Sequence, residues 1–430
     1  MGAFLPAFPR STQLVAIAIA GQSLAFGFSL LMARRLGVEG FEAWAVAAST
    51  FLALVSLAPL GSEKFALRLL PPYFESQDRT GVAAYLGFAG RRTLLVALAA
   101  AAIVTGFALA ARSGDVARAL IATGVSLPAG ALSHVGLEVL SAAGRPLLAL
   151  LLVRLLVPGL ALGLALVALA AGVAMTGAQA IALWGLGWLV TLALILRALR
   201  PWLPPHRPAL DEARDWAIET RPFLVYRLAL ALLAQSGVLA LELLGPPGAV
   251  GAYAAAMSVA VLASVLATAT NRAYGRQLAL LLEQQDAEGL AALYRARRRW
   301  LVPALALFLV PVLMVPDAIL AAFRPEFVAA GTAPLRILAT TTAFTVLLAL
   351  APTVLKFRRQ RRTTYAIVTV TAGVQLLLLV LLVPRWGATG AALAYAVSMT
   401  GLYAAFAWLA SPFGKQHKDE FNVRSRDHRN

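Results

Sequence analysis

The chain has 430 residues, 60% of them hydrophobic and only 13% charged, with a mean hydropathy of +0.79. No single soluble core hides that much apolar surface, so a soluble globular domain is excluded. The formal net charge of +17 would suggest nucleic acid in a soluble chain, but here the cations gather between long apolar runs, and no nucleic-acid partner is expected.

A helix rises about 1.5 Å per residue, so about 20 apolar residues cross a ~30 Å hydrocarbon layer. Such runs lie near 11–33, 42–62, 93–112, 116–140, 147–170 and 176–197, then 222–244, 249–271, 300–320, 331–355, 364–383 and 388–410. Rich in Ala and Leu, they read as helices, because a backbone in lipid must satisfy its own hydrogen bonds. The short alternating segments of a membrane barrel are absent. The expected fold class is an all-α polytopic membrane protein with about 12 transmembrane helices. The first run follows Arg10, is too long for a signal-peptide core and reads as uncleaved.

With the N-terminus inside, roughly 28 of the 37 Lys and Arg fall in internal loops and tails, about 6 in external loops and 3 in spans. The expectation is a multi-pass protein with both termini cytoplasmic. Its internal clusters, Lys64 to Arg92, Arg197 to Arg221, Arg272 to Arg299, Lys356 to Arg362 and the tail after Ser411, would meet anionic lipid headgroups.

In chain order, Gln22 is the strongly polar residue midway along the first span, read either as an interhelical hydrogen bond or as a site residue. The fourth span carries His134 and Glu138 at i, i+4 on one face. In the fifth, "LLALLLVRLLVPGLALGLALVALA" (147–170), Arg154 lies about 12 Å beyond the internal turn at Arg145 and Pro146. It either snorkels toward the headgroups or faces a cavity, with Glu138 as a neighbour. The linker "RALRPWLPPHRPALDEARDWAIETRP" (197–222) is polar and Pro-rich; its part from Asp211 to Thr220 reads as a short interfacial helix with Trp216 in the headgroups. On the seventh span Arg227, Gln235 and Glu242 form one polar stripe, which lipid would not tolerate and which should face the other half or a lumen. Residues 274–299, with Leu278, Leu281, Leu282 and Leu293 among charges, read as an amphipathic surface helix or a solvated loop helix. Arg336 reads as a surface partner of Glu326, and Trp300 and Trp386 as interface anchors.

The sequence also repeats. At an offset of 208, "RLLPPYFESQDRTGVAA" (68–84) lies over "RQLALLLEQQDAEGLAA" (276–292), so that Gln77 and Asp78 meet Gln285 and Asp286, and Gly81 meets Gly289. Each half holds six spans, so the repeats are parallel, related by an axis along the membrane normal. The expected organisation is an N-lobe at 1–200, a linker at 201–221, a C-lobe at 222–410 and a basic tail at 411–430. Arg154 and Arg227 have no charged counterpart in the other half, which suits substrate contacts better than scaffold.

Enzyme chemistry is hard to place. There is no phosphate-binding G-x-x-x-x-G-K-[ST], and cysteine is absent. His134, His206, His417 and His428 lack metal-ligand spacing, and the external loops are too short for a folded domain. No cofactor or metal is expected, and the chain is not expected to be an enzyme.

Three stretches, "LELLGPPGAVGAYAAAMSVA" (241–260), "FRPEFVAAGTAPLRIL" (323–338) and "VPRWGATGAALAYAVS" (383–398), resemble polysaccharide-biosynthesis flippases of the multidrug, oligosaccharidyl-lipid and polysaccharide exporter superfamily. The resemblance covers essentially the whole chain. It implies a transporter of the bacterial inner membrane that moves undecaprenyl-pyrophosphate-linked sugars from the inner to the outer leaflet for O-antigen or exopolysaccharide synthesis, alongside glycan polymerase and export machinery. On that reading Arg154, Arg227, Glu138, His134, Gln235, Glu242 and Gln22 line the substrate cavity, the two arginines gripping the pyrophosphate. Some lipid flippases of the superfamily carry charges in the first span, where this chain has only Gln22. The alternatives are a cation-coupled multidrug antiporter, with Glu138 or Glu242 as the coupling acid, and a membrane-embedded glycan polymerase or ligase.

Overall fold

The computed structural model of the chain describes residues 8–203, 210–358 and 360–411. The segment 204–209 with His206 and the tail from 412 with His417 and His428 lie outside them. No strand occurs among the described residues.

The first half opens with α1 (Phe8–Leu57), which is two spans joined at Gly37, where φ is 76° and the chain turns back. The rings of Phe28 and Trp44 are 5.9 Å apart, although a straight helix would separate them by about 24 Å. The second span breaks at Leu60 and Gly61, both at positive φ, and resumes as the short helix α2 (Ser62–Glu75). Then come α3 (Arg79–Ala111), α4 (Gly114–Ala142), a fifth span built of α5 (Pro146–Leu151), a π turn and α6 (Val157–Ala170), and α7 (Gly177–Leu199).

The second half starts on α8 (Leu210–Leu244) and continues with α9 (Ala249–Ala260) and α10 (Ser264–Glu283), one span with a 3-10 turn between its parts. Next is α11 (Ala287–Met314), followed at a bend of 80° by α12 (Pro316–Phe323). The tenth span is α13 (Val328–Leu347), continued by α14 (Ala351–Phe357), and α15 (Arg361–Ala410) supplies the last two spans, folding at Gly387. There Gly390 lies so close to Leu382 that a Cβ would stand 2.3 Å from its carbonyl oxygen.

Nine helices among the described residues are long and apolar enough to cross a membrane, ten with the bent pair α11 and α12. Counting α1 and α15 as two crossings each, the total is twelve. The first half packs around α4, which touches α1, α3 and α7; in the second, α15 and α13 pack against α8 and α9.

The repeat is visible in turn geometry. Gln77 and Gln285 share an unusual φ of 55°, and Asp78 and Asp286 each cap the helix that follows, accepting the N–H of Gly81 at 3.0 Å and of Gly289 at 2.8 Å. Asp78→Ala and Asp286→Ala should therefore each cost about 1 kcal/mol. Thermal unfolding in detergent should show two similar decreases, and a loss confined to one variant would contradict equivalent turns.

Two sequence expectations need correction. Residues 274–299 are not one surface helix: the chain turns at Gln285, and Leu278 and Leu293 are buried with Leu350 and Val354 while Leu281 and Leu282 flank them. Those leucines serve an internal contact between α10, α11 and α14. The segment from Asp211 to Thr220 is not a separate interfacial helix either, because α8 runs unbroken from it into the seventh span. Trp216 sits against Tyr85 and Phe88, with centroids 5.4 and 5.5 Å away, rather than among headgroups.

Candidate functional site between the lobes

The bundle has a basic end, carrying the α2–α3 and α10–α11 turns and the start of α8, and a far end opposite. The far end is sealed across the halves. Phe28, Met32 and Phe41 from α1 share one buried core with Ala252, Tyr253, Phe323 and Phe327, and Phe26 meets Phe323 and Phe41 meets Phe327 at 5.7 and 5.5 Å. In lipid, which offers no hydrophobic drive, close packing and aromatic ring contacts of this kind hold helices together. Polar contacts add direction. Glu42 accepts the N–H of Gly251 at 2.9 Å, so a carboxylate of one half caps the N-terminus of α9 in the other, where the helix dipole favours it. Arg34 donates to the Ala322 carbonyl at 2.6 Å, Ser29 and Ser258 hydroxyls lie 3.0 Å apart, and Arg112 pairs with Glu242 at 3.3 Å. The stretches 241–260 and 323–338, which carry the family resemblance, are thus largely part of this seal.

At the basic end every hydrogen bond and ion pair between the halves, among the described residues, runs through α8. Arg68 pairs with Glu219 at 3.2 Å, Arg92 donates to the Thr220 hydroxyl at 2.9 Å, and Arg227 pairs with Glu63 at 3.0 Å. Gly61 lets α8 pass close: a Cβ there would stand 2.6 Å from the Thr220 carbonyl oxygen, and its φ of +84° suits glycine. Among the described residues, no apolar cluster joins the halves at this end except where Trp216 and Phe223 of α8 lie on the N-terminal half.

Around Arg227 the structure gathers a charged group. Glu63 is 1% exposed; burial pushes its carboxyl above the ordinary carboxylate range, against the pull of Arg227 and of Lys64. Lys64 pairs with Glu138. His134 lies stacked on Trp188 at 5.2 Å, within electrostatic reach of Arg227 and Lys64. Arg227, Glu138 and His134 therefore come together. The cation paired with Glu138 is Lys64, which the break at Leu60 and Gly61 turns toward α4.

Of the other candidates, Glu242 is at the far end, on Arg112. Gln235 lies between it and Arg227, half-buried, and Gln22 is half-buried on α1. Arg154 is exposed and falls within the π turn Leu152–Leu156. The reason is four residues on: Pro158 has no N–H, so the Arg154 carbonyl loses its helical donor and the ladder shifts to longer bonds. Gly21 packs onto that carbonyl, leaving only 2.3 Å for a Cβ. Arg336 is exposed, and Glu326 pairs with Arg324 at 3.0 Å instead, two residues away and nearer than a partner on α13.

Sequence reasoning missed Glu63, Glu42 and Arg112. Glu63 could have been suspected from "LAPLGSEKFALRLL", where an acid interrupts two apolar stretches just after a Pro and a Gly. Nothing local marks Glu42 or Arg112, whose roles depend on the other half.

These features define a two-lobed, twelve-helix membrane bundle closed at one end. No family model matches the sequence, and no curated protein does. Solved structures match over nearly its whole length. A multidrug resistance MATE family transporter of the MOP superfamily, in an inward-facing conformation, superposes with a TM-score of 0.70 at 13% identity, over 94% of this chain and 99% of that one. The lipid II flippase MurJ, in an inward closed conformation, gives 0.70 at 12% identity over 92% and 87%. The MATE multidrug transporter DinF-BH gives 0.65 at 14% identity over 94% and 95%. The chain has the fold of the MOP-superfamily transporters.

Proposed function

We propose that this chain is a flippase that carries a polyprenyl-pyrophosphate-linked oligosaccharide from the inner to the outer leaflet of a bacterial inner membrane, for surface polysaccharide synthesis, by alternating access. The observation that carries the reading is the asymmetry of the lobe contacts: a broad seal at the far end, and polar contacts through α8 alone at the basic end. Such a bundle opens at the basic end, and the charge bias supports a cytoplasmic side for that end and for both termini. One of the fold neighbours, the MATE transporter, is itself inward-facing.

The substrate class rests on chemistry. A pyrophosphate does not cross hydrocarbon bare, and guanidiniums grip it bidentately; Arg227 and Arg154 supply them. An inside-negative potential favours outward movement of an anion by about 2.3 kcal/mol per charge per 100 mV. Anionic lipids at the basic surface, and a glycan polymerase with export machinery, are partners on the same reading. The antiporter reading needs an acid that exchanges cations, but Glu138 and Glu242 are already paired with Lys64 and Arg112.

The test is reconstitution into liposomes with a fluorescent polyprenyl-pyrophosphoryl sugar, scoring exposure of the label to an impermeant quencher. Protein-dependent transfer between leaflets is expected. No transfer above protein-free liposomes, together with cation-driven uptake of a cationic dye, would establish the antiporter instead.

A further inference from the structure

We propose that Glu63 is the built-in occupant of an anion-binding fork on Arg227, and that the anionic headgroup and Glu63 take turns on it. This deepens the flippase reading and rests on it.

Arg227 approaches Glu63 through Nε, at 3.0 Å and without hydrogen-bond alignment. Its two Nη groups make no hydrogen bond among the described residues. Those Nη groups form an edge that holds phosphate oxygens in parallel bonds. The charge of Arg227 is thus compensated while its gripping edge is unused. The side chain of Arg227 keeps 18% of its exposure and that of Glu63 only 1%, so an incoming headgroup reaches the arginine and not the acid. Lys64 nearby adds positive potential.

Once a headgroup holds Arg227, Glu63 is left buried without its cation, a costly state for a carboxylate. It takes one proton from water at the basic end, hydronium becoming water and the carboxylate a neutral acid. The proton leaves when Glu63 regains Arg227. Burial already raises this carboxyl and Arg227 is the main influence lowering it, so losing Arg227 raises it further. Headgroup affinity therefore climbs as pH falls from the unpaired toward the paired value of Glu63, by at most about tenfold per pH unit, and is flat below the paired value. The charged and titratable groups facing this site are Arg227 and Tyr226 from α8, Lys64 on α2, Glu138 and His134 from α4, and Tyr85 from α3. His134 is the other group whose ordinary range falls near neutrality and serves as the control.

The experiment is calorimetry on the intact protein in nanodiscs with a short-chain prenyl-pyrophosphoryl sugar, from about pH 5 to pH 8, in buffers of differing ionisation enthalpy. Its doubly esterified pyrophosphate stays ionised, so proton uptake reports the protein. Wild type should take up as much as one proton and bind several-fold tighter per unit of falling pH. Glu63→Gln should bind as tightly as wild type at its best pH, with no uptake and no pH dependence, whereas His134→Gln, whatever its affinity, should keep the proton uptake and the pH dependence. A Glu63→Gln/Arg227→Gln double variant, which buries no charge, should fold and fail to bind. Wild-type affinity independent of pH, a pH dependence that survives Glu63→Gln, or full binding by the Glu63→Arg/Arg227→Glu swap would overturn the proposal and leave flipping intact. A wild type that neither binds nor flips such a lipid removes the flippase reading, and this inference with it.

Discussion

Oxidising a Ser29→Cys/Ser258→Cys variant arrests transport almost completely, and reductant restores it. The native hydroxyls lie 3.0 Å apart across the far end, a separation that brings two thiols within reach of a disulfide. The parent chain has no cysteine, so the new pair has no competitor and needs no background substitutions. If the lobes rock, the far end must open once per cycle, and a covalent staple there holds every molecule in the state described above. The Glu42 cap on α9 and the Arg112–Glu242 pair reinforce the same state and yield reversibly; a disulfide does not. The measurement is lipid transfer in liposomes before oxidation, after it and after reduction, with the extent of crosslinking read from a gel. Normal transfer by fully crosslinked protein would rule out opening at this end.

Arg227→Ala and Arg154→Ala both reduce transport strongly, but only the first carries a large stability cost. Removing Arg227 strands Glu63, 1% exposed, and breaking one side of a buried pair costs about 3–5 kcal/mol, less where the acid takes up a proton. Arg154 is exposed on the π turn, where an exposed polar or charge contact is worth about 1 kcal/mol or less. Loss of transport in Arg154→Ala with unfolding little changed therefore supports a role in handling the substrate rather than in holding the fold. In Arg227→Ala the loss should come with lower stability, and adding Glu63→Gln should recover the stability but not the transport. Transport at the wild-type rate in both single variants would remove the two arginines from the site.

The candidate site was legible residue by residue and not as a set. Arg227 and Glu242 stood out because ionisable groups within long apolar runs are costly in lipid, and their spacing around one helix showed a shared face. Their partners did not stand out. Glu63 lies just after a helix break, Glu42 is an ordinary acid near a turn, and Arg112 ends a span; each matters because of a group more than a hundred residues away. Glu138 shows the limit from the other side: proximity of spans four and five suggested Arg154, but the turn at Leu60 and Gly61 delivers Lys64 first.

The twelve crossings, their helical state and the twofold repetition were determined by the amino-acid sequence alone, because a backbone in hydrocarbon has to close its hydrogen bonds within each segment and the turn at Gln77 and Asp78 is set by adjacent residues. Which end is shut, which acid meets which base and how α8 continues through the linker were decided only by tertiary structure. Those outcomes depend on small differences in packing and charge pairing between surfaces distant in the chain, and hydropathy carries no record of them.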